Sequence, residues 1–158
     1  MTSAQQGRTA PVNLEDSQLI SKLLEIFPRM LESQPVSLAY LYGSVTTGRT
    51  TPFSDVDVAL LVSEDLSPLE RLKFTLRIQL DLADEANISN ADVRIINDAP
   101  LVFQGRVVSE GFLVYVRDEG ERVEFETATR TRYFDYLPVH KRLQDAFFAD
   151  LRERGLYG

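Results

Sequence analysis

The 158-residue chain has no cysteine and a single histidine, His140. The first absence excludes disulfides and thiolate metal centres and fits a reducing compartment. The second leaves no material for a histidine relay or a histidine zinc cluster, and His140 is read as a helix-surface residue without a role. No apolar run approaches the roughly 20 residues of a membrane-spanning helix. The opening stretch, MTSAQQGRTAPVN, lacks the basic-then-apolar pattern of a secretory signal. Repeats and low-complexity tracts are missing as well. A cytoplasmic protein with no membrane association is expected.

Positive charge is also short. Seventeen Lys and Arg face 24 Asp and Glu, for a formal charge of −7, which argues against DNA binding through the phosphate backbone. Residues 121–158 balance at seven acidic and seven basic side chains, so the first 120 residues hold the whole excess, 17 acidic against 10 basic. An acidic domain that binds a phosphate needs cations as intermediaries.

What is present reads as one domain. Residues 1–12 are small and polar and are expected to be disordered. A helix is predicted from Asn13 with an apolar stripe of Leu19, Ile20, Leu23, Leu24 and Phe27, and with Pro28 as a kink or restart. Strands are predicted at 36–42, 56–62 and 91–97. Between the last two lies a helix over 67–87, opened by a Ser67–Glu70 capping box with Pro68 at its first position. Leu69, Leu72, Leu76, Leu80 and Ala83 are taken as its core-facing stripe. A short helix over 100–111 closed by Gly111, an extended segment at 112–117, and a helical pattern over 122–154 interrupted by Pro138 complete the chain. The fold class is α/β (α+β), a small mixed sheet flanked by helices. Residues 13–120 form the domain and 121–158 a C-terminal helical extension packed on it, whose surplus aromatics (Tyr133, Phe134, Tyr136, Phe147, Phe148) offer a surface to a partner.

One stretch carries chemistry: YLYGSVTTGRTTPFSDVDVALLV, Tyr40 to Val62. Asp55 and Asp57, two apart along a strand, project to one face. Two carboxylates that close repel unless a cation lies between them, and oxygen-only donors suit Mg²⁺ with substrate phosphates. Asp92 repeats the anomaly in the next strand, and a third carboxylate completes the set that two-metal phosphate chemistry requires. The Gly43-Ser44 turn, leading from a strand into a short helix, presents free backbone N–H groups to an anion. Arg94 shares a strand face with Asp92 and pairs with it or with substrate. Arg49 is read as a solvated loop residue, and Ser54 as a turn residue.

Gly-Ser, ten further residues and then Asp-Val-Asp resemble the signature of the DNA polymerase β-type nucleotidyltransferase superfamily. Asp92 stands where that superfamily places its third carboxylate. The chain is most similar to the minimal nucleotidyltransferases, and among them to the MntA-type antitoxins paired with HEPN-domain toxins. Beyond the motif, the similarity takes in ADVRIINDAP, FQGRVVSEGFLVY and ETATRTRYFDYLP. It implies a polymerase β-like fold in which Gly43 and Ser44 hold the triphosphate of ATP. It also implies that Asp55, Asp57 and Asp92 bind two Mg²⁺ ions, and that AMP passes to a tyrosine of a HEPN toxin held in a hetero-oligomer. Two other functions stay open from the sequence: transfer to a small aminoglycoside-like acceptor, and neutralisation of a toxin by contact alone.

Overall fold

The computed structural model describes residues 14–48 and 54–155; the expectations for residues 1–13 and for Arg49 fall outside them. The elements follow in the order α1 (Leu14–Leu31), β1 (Val36–Tyr42), α2 (Ser44–Thr47), β2 (Val56–Val62), α3 (Pro68–Ala86), β3 (Ala91–Ile95), α4 (Leu101–Glu110), β4 (Phe112–Val116) and α5 (Glu119–Glu153). The strands form one mixed sheet in the order β3-β2-β1-β4. β1 runs antiparallel to β2 and β4, while β2 and β3 are parallel. A parallel pair needs a long crossover, which α3 supplies. Among the described residues no helix is long and apolar enough to cross a membrane.

Strand alternation divides the core in two. Ala39, Leu41, Val58, Leu60 and Val93 point to the face covered by α1 and α3, where Leu23, Phe27, Ile78 and Leu82 meet them. Leu38, Tyr40 and Ala59 point to the other face, where Val107 and Val108 of α4 cover them. β1 is buried on both faces except at Tyr42, as its near-continuous apolar sequence requires.

The capping box at Ser67 forms as expected, with the Ser67 side chain accepting from Glu70 N and the Glu70 carboxylate accepting from Ser67 N. The stripe expected to follow it does not face the core. Leu69, Leu72, Leu76 and Leu80 are 59, 56, 48 and 66% exposed, and Phe74, Ile78, Leu82 and Ala86 are buried instead. The helix is apolar on two sides, and its polar anchors choose between them. Arg71 donates to Leu66 O and pairs with Asp98 at 2.5 Å, while the Gln79 carbonyl accepts from Val93 N at the edge of β3. These contacts hold the rotation that turns Phe74 and Ile78 inward.

Neither proline breaks its helix. Pro28 lies in the last turn of α1, where a missing N–H costs a single hydrogen bond, and α1 runs on to Leu31. Pro138 lies inside α5, a continuous 35-residue helix of about 52 Å. Among the described residues, the buried positions of α5 lie in its first half. Glu126, Thr129 and Tyr133 are its buried residues, and Leu143 and Phe147 beyond them stand 60 and 58% exposed. At the contact, a Cβ on Gly105 of α4 would fall 2.2 Å from Cγ of Tyr133. Glycine is therefore what lets the two helices touch.

Candidate active site

The register of the sheet builds the site. Tyr42 at the end of β1 stands opposite Asp57 of β2, and Asp57 stands opposite Asp92 of β3. Partners aligned across neighbouring strands project to the same face, so the three side chains form a row on the α4 side of the sheet. Arg94, two residues beyond Asp92, joins that face, and its Nε donates to Asp92 Oδ2 at 3.2 Å. Asp55 lies just before β2, exposed. The backbone there is fixed by Asn90, which donates from Nδ2 to Ser54 O at 2.7 Å and accepts at its carbonyl from Val56 N at 2.9 Å.

The turn that follows β1 presses against this row. Gly43 has φ +75°, and a Cβ there would meet Asp57 Oδ2 at 2.5 Å. Any side chain would be strained by the backbone and would also strike the carboxylate. Ser44 opens α2, whose four residues are held by Thr46 N and Thr46 Oγ1, both donating to Gly43 O at 3.1 and 2.9 Å. Gly43 is thus set against Asp57, with Ser44 next to it at the start of α2. Asp92 arrives through the β2–β3 pairing.

The charges at the site are incompletely balanced. Burial pushes the Asp57 carboxyl above its ordinary range, and the neighbouring Asp92 and Asp55 add to this while Arg94 opposes it. The Tyr42 hydroxyl is pushed up to about 12, by burial first and by Asp57 next. Arg94 is held further towards its charged form by Tyr42 and then by Asp92. One guanidinium therefore serves Asp92, Asp57 and the Tyr42 phenol.

Sequence reasoning missed Tyr42 and the cavity beside it. About 230 Å³ lies between Tyr42, Gly43, Thr46 and Thr47 on one side and Phe103 and Arg106 of α4 on the other. The Tyr42 and Phe103 rings meet edge to face, centroids 5.3 Å apart. An aromatic residue next to the Gly-Ser turn was the available signal. Its partner on α4 has none, because about 60 residues separate them along the chain.

Among the described residues no three His, Cys, Asp or Glu side chains are gathered closely enough to cage a metal ion, and Asp92 is turned towards Arg94. The donor chemistry nonetheless fits a hard divalent cation, because the mutual repulsion felt at Asp57 is what such an ion relieves.

Residues 22–120 match the family described as polymerase beta, nucleotidyltransferase. No curated protein matches the chain at the sequence level. Solved structures do match in fold. A toxin–antitoxin structure with AMP-PNP is 22% identical with a TM-score of 0.61, covering 82% of this chain and 98% of that one. A toxin–antitoxin MntA–HpeT double mutant is 21% identical with a TM-score of 0.60, covering 85 and 99%. The tri-AMPylated HEPN toxin of Shewanella oneidensis in complex with MNT antitoxin gives 20% identity and a TM-score of 0.57 over 84 and 98%.

Proposed function

The chain belongs to the polymerase beta nucleotidyltransferase family, and we propose that it transfers AMP from ATP to a tyrosine hydroxyl of a cognate HEPN-domain toxin and so acts as its antitoxin. The observation that carries this reading is the row of Asp57 and Asp92 with Asp55 beside it and the Gly43 turn in contact with Asp57. The likeness in fold to toxin–antitoxin structures supports the choice of acceptor. The exposed Leu143 and Phe147 on the second half of α5 provide surface for such a partner in a cytoplasmic hetero-oligomer.

Each residue has a part in that reading. Gly43 and Ser44 receive the β- and γ-phosphates. Asp55, Asp57 and Asp92 would hold two Mg²⁺ ions, which when bound neutralise phosphate charge and polarise the α-phosphoryl oxygens. Asp92 faces the acceptor and takes the proton of its hydroxyl. The acceptor oxygen bonds to the α-phosphorus as the bond to the bridging oxygen breaks, and pyrophosphate leaves with that electron pair.

The test is an intact-mass measurement on the candidate toxin after incubation with this protein, ATP and Mg²⁺. The toxin gains one or more AMP units with the wild type and none with Asp57→Asn. An unchanged mass with the toxin still silenced favours neutralisation by contact. AMP found on an added aminoglycoside instead moves the acceptor to a small molecule.

A further inference from the structure

We propose that Arg106, on the cavity between α2 and α4, binds the pyrophosphate end of the nucleotide and neutralises the charge that develops on the leaving group, a role that rests on the AMP-transfer reading above. The order of groups across the sheet points there. Asp92 lies on β3, Asp57 on β2 and Tyr42 on β1, and the cavity opens beyond Tyr42 beneath α4. In-line displacement puts the incoming and departing oxygens on opposite sides of the α-phosphorus. With the acceptor on the Asp92 side, pyrophosphate departs on the Gly43 side, into the cavity.

That side gains from a cation, and among the described residues α2 supplies none. The four residues of α2 include no basic side chain, and Arg94 is committed to Asp92. Arg106 lines the same cavity as Gly43, Thr46 and Thr47, and among the described residues it forms no ion pair. The helix that carries it is rigidly seated. Buried Gln104 donates from Nε2 to Ile96 O at 2.7 Å and to Asn97 O at 3.1 Å, and Gly105 is packed against the Tyr133 ring. Tyr42, Phe103 and Val107 give the cavity apolar walls beside Arg106, which is itself exposed, and a guanidinium there can meet phosphate oxygens with two parallel hydrogen bonds. Glu110, one turn along α4, borders the cavity and opposes anion binding there.

In the transfer step the bond from acceptor oxygen to α-phosphorus forms while the bond to the bridging oxygen breaks. The electron pair stays on pyrophosphate, the acceptor proton goes to Asp92, and the guanidinium donates to the departing phosphate oxygens. Nothing is oxidised or reduced.

The experiment is calorimetric titration of the full chain with inorganic tripolyphosphate and, separately, with adenosine, both in the presence of Mg²⁺. Arg106→Ala weakens tripolyphosphate binding by about 10- to 100-fold and leaves adenosine binding within about twofold of wild type. Arg106→Lys falls between, since it keeps the charge and loses the fork. Glu110→Gln tightens tripolyphosphate binding, and thermal melts of all three variants match wild type. Tripolyphosphate binding that is absent in wild type, or equal in wild type and Arg106→Ala, overturns the assignment. So does a selective loss of adenosine binding in Arg106→Ala, which would give the cavity to the base. None of these readings needs an acceptor, so failure of AMP transfer to a toxin leaves the outcome intact.

Discussion

β1 carries two tyrosines on one face of the sheet, and the carboxylates they meet have opposite circumstances. Tyr40 is fully buried and its hydroxyl donates to Glu126 Oε1 of α5 at 2.9 Å. The other oxygen of Glu126 accepts from Arg122 at 3.0 Å and lies 3.4 Å from Arg130. Two residues on, Tyr42 faces Asp57, a carboxylate with two acidic neighbours and one guanidinium that is paired with Asp92. A carboxylate that serves the fold is buried with its cations supplied by the chain. One left short of positive charge at an open cleft is waiting for a ligand that brings it.

The same chemical change should therefore act in opposite directions at the two places. Asp57→Asn, isosteric beside Gly43, removes a repelled charge. Transfer of AMP is expected to fall by about a thousandfold or more, whereas the melting temperature holds or rises. Glu126→Gln keeps an acceptor for Tyr40 but takes the buried negative charge from Arg122, which is left with its pairing to Glu119, so stability falls. Glu126→Ala also removes the carboxylate that accepts from the Tyr40 hydroxyl, at a cost of about 3 kcal/mol, read from chemical denaturation. A melting temperature that drops equally in Asp57→Asn and Glu126→Gln would erase the distinction.

Acidity sharpens the comparison further. The folded Asp57 carboxyl titrates above its unfolded value, so in the window between the two the folded state binds more protons than the unfolded one. Its contribution to stability is then most favourable below that window and is lost as pH rises through it. Mg²⁺ should restore the loss above the window, so that the added stability from Mg²⁺ grows with pH in wild type and is absent in Asp57→Asn. Melting curves with and without Mg²⁺ across the carboxylate range measure this directly. A Mg²⁺ effect independent of pH would separate the ion from Asp57.

Much of this was legible in the chain before its fold was known, and the reasons are local. Strand periodicity, the Ser67 capping box and the Gly-Ser-to-Asp spacing depend on neighbours in sequence, and they reappear as β1, β2, α3 and the turn at Gly43. Asp92 was identifiable as a lone carboxylate in a strand, but its alignment with Asp57 required the β2–β3 register. The rotation of α3 was not legible, because both of its sides are apolar and Arg71 and Gln79 decide between them through distant groups. Nor was the Glu126 cluster. Arg122, Glu126 and Arg130 follow helical spacing and read as ordinary surface pairing; only Tyr40 beneath them reveals the burial. The cavity at Arg106 joins elements far apart along the chain and leaves no local trace.

The smallest expected effect tests the two tyrosines themselves. Tyr40→Phe removes one donor from a buried carboxylate that keeps its arginines, which costs about 1–2 kcal/mol. Tyr42→Phe removes a half-exposed hydroxyl beside a site already open to water, and its effect on stability should stay within about 0.5 kcal/mol. Ring packing against Phe103 is preserved in that variant. With its phenol titrating near 12, Tyr42 carries no charge at neutral pH, so its loss leaves the charge balance around Asp57 unchanged and the Mg²⁺ dependence of melting with it. Denaturant titrations of the two variants decide the matter: equal losses would mean that Tyr42 belongs to the fold as much as Tyr40 does, and that no boundary between a structural and a functional carboxylate falls between these two positions of β1.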